Sequence, residues 1–320
     1  MKNITRIEHL KKNWNQFFFT GCHPDQLGVF RVIFGFALIP FHINQFYHQL
    51  ILNSEGVKFY LIKPIWYFQL LGIEMHDPFG CKVAIAILSL ASVGFALGLF
   101  TRSSLITMLL CILYLKGMRD SISGDNHHRY LIPFHILFIF LFSRCGQIFS
   151  LDAIRMQSKR TLSTLTQWEA SWPIRAGQLY VASFYFWSAV AKLRNSGYQW
   201  IKGGEKLQSL LLKKSTGYGF EDGVLTNGSQ IAFDLAHSPF LGQVLGAMTY
   251  IFEFGFPIIL FIRDLRLRIL FFLGVSLFHI SNYILLRVEF LLIPIVFLVF
   301  FDLSKPLKKW RRRRAENSTL

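Results

Sequence analysis

The sequence predicts an all-α fold: a polytopic transmembrane helical bundle of about eight spans, with both termini cytoplasmic. Three observations carry that expectation. Of 320 residues, 52% are hydrophobic and only 16% charged, where a soluble domain has about a quarter charged. Apolar runs of roughly 20 residues, enough to cross a bilayer core as helix, recur along the chain. The lysines and arginines gather in short clusters between those runs, as in cytoplasmic membrane loops.

The elements follow in chain order. Residues 1–25 form a cytoplasmic N-terminal segment. The first long apolar run begins near Leu27 without a small-residue cleavage site, so it reads as a retained span and not as a signal peptide. Spans are expected at 26–48, 82–100, 103–119, 128–145, 176–195, 240–262, 266–286 and 287–303, which makes 26–303 one membrane domain. Tight turns such as 100-FTRSS-104 join several of them. Residues 206–214 read as a short helix lying on the membrane surface. Residues 304–320 form a basic cytoplasmic tail containing 305-KPLKKWRRRR-314. With the N-terminus inside, 20 of the 34 lysines and arginines fall inside, 10 outside and 4 in or at the ends of spans. That bias fits eight spans in an integral membrane protein, the plasma (inner) membrane if the source is bacterial.

The net charge of +16 does not point to nucleic acid, because no basic groove motif or nucleic-acid fold signature accompanies it. The partner that the composition implies is the lipid bilayer. Four cysteines without metal spacing argue against a disulfide framework. One His-His pair, with no helical i,i+4 histidines, supplies too few ligands for a metal site, so no metal is predicted. There is no G-x-S-x-G and no P-loop.

Ionisable groups inside hydrocarbon cost about 2.5–3.5 kcal/mol each on insertion scales, so those present carry information. The topology brings Lys192 near the outer end of span five and Asp125, His127 and His128 to the outer mouth of span four. It brings His279 and Asn282 to the outer half of span seven, and Glu289 to the start of span eight. Four stretches thus deliver polar groups to one face, which predicts an outward-facing pocket. His42 is a further candidate lining residue, with a packing role equally open. Lys192 is either snorkelling to the interface or an amine desolvated enough to act as a base. The wall beside it is aromatic: Tyr180, Phe184, Tyr185, Phe186 and Trp187. Arg31 and Glu253 are expected to pair across the bundle, because each alone is an uncompensated charge in low dielectric.

Together 126-NHHRYL-131, 144-RCGQIFSLD-152, 185-YFWSAVAKLRNSGYQWIKGG-204 and 250-YIFEFGFPIILFIRDLR-266, followed by His279, resemble the horizontally transferred transmembrane (HTTM) family, which includes the vitamin K-dependent γ-carboxylases. The resemblance implies a carboxylase, a carbon–carbon lyase in type. It implies Lys192 as the catalytic base, His128 as stabiliser of the intermediate, and reduced vitamin K or another quinol as cofactor. Its substrate would be a glutamate side chain of a secreted protein. The sequence departs from the animal enzymes at Ala191, where they carry a second lysine. Other family members look like maturation factors for secreted peptides, so a non-carboxylase maturation, export or immunity role is the alternative.

Overall fold

The computed structural model describes residues 21–51, 61–75, 78–123, 131–159, 164–202, 204–215, 220–221, 224–225, 230–286 and 293–305, and four isolated positions nearer the N-terminus, Glu8, Lys11, Trp14 and Asn15. The chain divides into two compact units, Met1–Gln178 with Ile295–Leu320, and Leu179–Pro294. Four described helical segments are long and apolar enough to cross a membrane: Pro24–Tyr47, Phe79–Leu97, Pro239–Leu260 and Leu265–Leu286.

In the first unit, helix α1 (Pro24–His42) opens with Pro24 in its first turn and His23 as N-cap. Leu27, Phe30, Phe34 and Leu38 recur at three- and four-residue spacing and are wholly buried. Pro40 offers no N–H to the preceding turn, and the helix passes into a wider π-type segment at Ile43–Ile51. A short helix α2 (Trp66–Leu71) follows, then α3 (Pro78–Leu97) and α4 (Thr101–Ser123). Gly98, in the turn between α3 and α4, has φ +67°, and a Cβ there would sit 2.2 Å from Ser150. Only glycine fits both constraints. The outer faces of these helices are apolar too, with Leu90 and Leu110 well over half exposed. A helix apolar all round suits lipid, not water.

Helix α5 (Leu131–Leu141) is shorter than the expected span 128–145, because the chain turns at Phe142–Ser143. Its Phe140 ring packs 5.1 Å from Phe30. Helix α6 (Leu151–Ser158) is capped by the Ser150 hydroxyl. Helix α7 (Gln167–Ser196) is much longer than the expected 176–195. It starts early because Thr166 and Glu169 form a capping box: the Thr166 N–H donates to the Glu169 carboxylate at 2.9 Å and the Glu169 N–H to the Thr166 hydroxyl at 3.2 Å. The described part of the expected last span, Ile293–Phe300, is a 3-10 helix.

In the second unit, the rest of α7 leads to a 3-10 turn at Gly197–Trp200 and helix α8 (Glu205–Ser215). The sequence placed α8 on the membrane surface. Its apolar residues Leu207 and Leu211 join a protein core with Ala189, Trp200, Ala232, Ala236 and Tyr250. Among the described residues the one strand pairing is a two-residue antiparallel ladder, Phe220–Glu221 (β1) with Val224–Leu225 (β2). Helix α9 (Gln230–Ala236) precedes α10 (Pro239–Gly255), which Ser238 caps, and α11 (Leu265–Leu286), whose first turn Asp264 caps at 2.9 Å. The four cysteines are unbridged.

Candidate functional site

Three helix faces converge in the second unit. On α7, Tyr185, Ala189 and Lys192 stand at i, i+4 and i+7, one face of a helix. On α10 the buried residues Gly242, Gly246, Tyr250 and Glu253 form a second face. On α11 the third is Phe272, Val275 and His279. Small residues let the backbones approach: a Cβ on Gly246 would fall 1.7 Å from the Trp200 carbonyl oxygen.

The polar groups on these faces pair off. Lys192 Nζ donates to both carboxylate oxygens of Glu253, at 2.7 and 2.8 Å. The Glu253 side chain is 7% exposed and that of Lys192 is 26% exposed. Tyr185 Oη and His279 Nε2 share a hydrogen bond of 2.6 Å, and both residues are buried. Tyr185 and Lys192 are seven residues apart, so their Cα atoms lie about 10 Å apart along α7.

Aromatic rings enclose the Tyr185–His279 pair. Tyr185 stacks on Phe256 at 3.9 Å, nearly parallel, and Phe252 stacks on Phe278 at 4.8 Å. Near the other pair, Lys192 Nζ lies 5.8 Å from the Trp200 ring centroid, within cation–π range. The Trp200 indole N–H is buried and has no hydrogen-bond partner among the described residues. A buried donor without an acceptor is costly, by about 1–3 kcal/mol, and so is a place where a ligand oxygen gains most.

The sequence expected Arg31 and Glu253 to neutralise each other. Glu253 instead takes Lys192, and Arg31 is held by backbone. The wholly buried Arg31 guanidinium donates to the carbonyls of Cys145 at 2.8 Å, Ile148 at 3.1 Å, Phe149 at 2.5 Å and Ala96 at 3.5 Å. Carbonyl oxygens at turns and helix ends carry enough partial negative charge to replace a carboxylate. Arg31 therefore clamps the 145–149 loop.

Among the other expected site residues, His279 is buried in its pair with Tyr185 and Asn282 is half-buried at the end of α11. Asp125, His127, His128 and Glu289 lie outside the described residues. His42 is buried against Phe46, and neither ring nitrogen has a partner among the described residues. Among the described residues no three His, Cys, Asp or Glu side chains gather as metal ligands. Sequence reasoning did not foresee the Tyr185–His279 hydrogen bond or the buried indole of Trp200. Tyr185 was legible only as one ring of an aromatic wall, although its i,i+7 spacing to Lys192 puts both on one helix face.

The comparisons with known proteins come to one match. A family model described as HTTM domain matches residues 19–304, nearly the whole chain. Neither the curated proteins nor the solved structures give a match.

Proposed function

We propose, since this chain belongs to the HTTM domain family, that it is a membrane-embedded carboxylase-like enzyme whose base is Lys192, set by Glu253. The family is related to the vitamin K-dependent carboxylases, and the observation that carries the reading is the bidentate Lys192–Glu253 pair beside aromatic rings.

A lysine acts as a base only when its amine is free of its extra proton. Glu253 offers a route. Moving one proton from Nζ to the carboxylate turns a charged pair into a neutral amine beside a neutral acid. That exchange sheds the cost of holding the buried Glu253 carboxylate out of water and moves no net charge. Glu253 thus holds the proton while the Nζ lone pair accepts another. The Tyr185–His279 pair, seven residues back along α7, is a second donor and acceptor that can orient a substrate.

The residues fit a quinol. The Trp200 N–H, without a partner among the described residues, leaves a donor for a ligand oxygen, Lys192–Glu253 supplies the proton acceptor, and the half-buried Phe252 and Phe278 supply ring faces. When bound, a reduced quinone supplies oxygen-dependent chemistry that yields a base strong enough to remove a glutamate γ-proton. His128, by the same reading, stabilises developing negative charge at a site facing the outside of the plasma membrane.

The test is quinol-dependent incorporation of labelled CO2 into glutamate-containing peptides by purified protein in detergent. Incorporation by wild type that Lys192→Ala abolishes supports the reading. Absence of incorporation across varied peptides in folded protein refutes it and favours a maturation, export or immunity role for a secreted peptide.

A further inference from the structure

We propose that the first unit carries a separate site for the head group of an anionic phospholipid, in a basic cavity where α3 and α5 end and α4 begins. The cavity has a volume of about 430 Å³, and its lining includes Arg102, Arg144, Arg155, Thr101, Ser143 and Asp152. It shares no residue with Lys192 and its neighbours and does not rest on the carboxylase reading.

Charge decides what fits. Asp152 is the acid in the lining, and its carboxylate is already engaged. It accepts from the Phe100 N–H at 3.0 Å, and from the Thr101 N–H and hydroxyl at 2.7 Å each. Burial alone would raise its pKa. The Thr101 and Phe100 hydrogen bonds and the charge of Arg155 outweigh that and hold it below the usual carboxylate range. Asp152 is thus an ionised cap on the N-terminus of α4. Arg144 pairs with Glu169 at 2.5 Å. Arg102 and Arg155 form no ion pair among the described residues. The Arg155 guanidinium rests 4.4 Å from the Phe100 ring centroid, an arrangement that orders it without neutralising it. Two guanidinium groups, each a fork that matches phosphate oxygens, are left facing one cavity.

The rim selects a lipid over a soluble phosphate. Phe100, in the lining, is more than half exposed, and Phe142, Leu151 and Ile154, each next in sequence to a lining residue, are exposed as well. Phe100 and Phe149 have φ of 45° and 51°, which a bulky residue rarely adopts. Strained backbone that presents aromatic rings outward is a feature the surrounding structure must hold in place, and Arg31 does so through the Phe149 carbonyl. Helix α6 repeats the pattern, with Leu151 and Ile154 exposed beside Arg155. The cavity opens where the span Phe79–Leu97 ends, which is the depth of lipid phosphates. Basic cavities at that depth take anionic head groups, with acyl chains lying along the apolar rim.

Native mass spectrometry of the full-length protein, titrated with phosphatidylglycerol or phosphatidylcholine, tests this. The expected result is preferential retention of phosphatidylglycerol, weakened roughly twenty-fold in Arg102→Gln/Arg155→Gln. A tail variant, Lys308→Gln/Lys309→Gln, should leave it unchanged. Both arginines are exposed, so the melting temperature should hold; if the double variant melts early, Arg102→Gln alone, whose guanidinium has no ion-pair partner among the described residues, should still weaken retention about fivefold. Equal retention of the two lipids, equal retention by the arginine variants, or full displacement by millimolar inorganic phosphate would each overturn the proposal.

Discussion

Replacing Glu253 with Gln removes one charge from the Lys192–Glu253 pair at nearly constant volume. The ammonium is left facing an amide. Breaking a buried ion pair from one side costs about 3–5 kcal/mol, because the remaining charge loses its compensation. Glu253 is 7% exposed, but the Lys192 side chain is 26% exposed. Water therefore reaches the ammonium, and the low end, about 3 kcal/mol, is expected. For domains of this size that is a fall in melting temperature of about 5–10 °C. Lys192→Met should cost at least as much, since the charge it strands is the more deeply buried one. The double variant Lys192→Met/Glu253→Gln carries no charge at the site and should lie within about 1 kcal/mol of wild type. Thermal unfolding in detergent, followed by tryptophan fluorescence, measures all four proteins as a double-mutant cycle. A Glu253→Gln protein that melts with wild type, or a double variant as unstable as the sum of the singles, would refute the coupling.

The remaining predictions concern the first unit. Arg31→Ala leaves several buried carbonyls without a donor, at about 1–3 kcal/mol each. Folded protein should be lost on size-exclusion chromatography, and Arg31→Lys should recover only part of it because an ammonium cannot span the same carbonyls. Glu169 is held at a pKa of about 2 by the Thr166 N–H, then by Arg144 and the Thr166 hydroxyl. Its folded pKa is depressed, so its contribution is present in full above the ordinary carboxylate range and is lost as pH falls from about 4.5 towards 2. Melting curves between pH 6 and pH 3 should show that loss, and Glu169→Gln should flatten it.

Composition and apolar runs made the membrane bundle legible, and the buried stripe of α1 follows from its spacing. Element ends were less so. The apolar run around α5 hides the turn at Phe142–Ser143, while the polar capping box at Thr166–Glu169 extends α7 beyond its apolar core. The amphipathic pattern of α8 does not say whether Leu207 and Leu211 meet lipid or protein. Pairing was the hardest to read. Assigning depth by chain position separated Lys192 from Glu253. A lysine side chain spans several ångströms, and helical side chains lean toward the helix N-terminus, so Lys192 reaches back along α7 to a partner placed deeper. Arg31 looked as if it needed a carboxylate because turn carbonyls leave no mark in a charge pattern. Trp200 was legible as a residue type, but that its N–H has no partner among the described residues emerges only when the core closes around it.

The most direct measurement uses the folded double variant. Labelled CO2 incorporation into glutamate peptides, with and without a reduced quinone, is compared between wild type and Lys192→Met/Glu253→Gln at matched melting temperature. Quinol-dependent incorporation by wild type, lost in a double variant that remains folded, is the predicted result. Equal incorporation by the two proteins would contradict Lys192 as the base, because the fold would be intact and the amine gone.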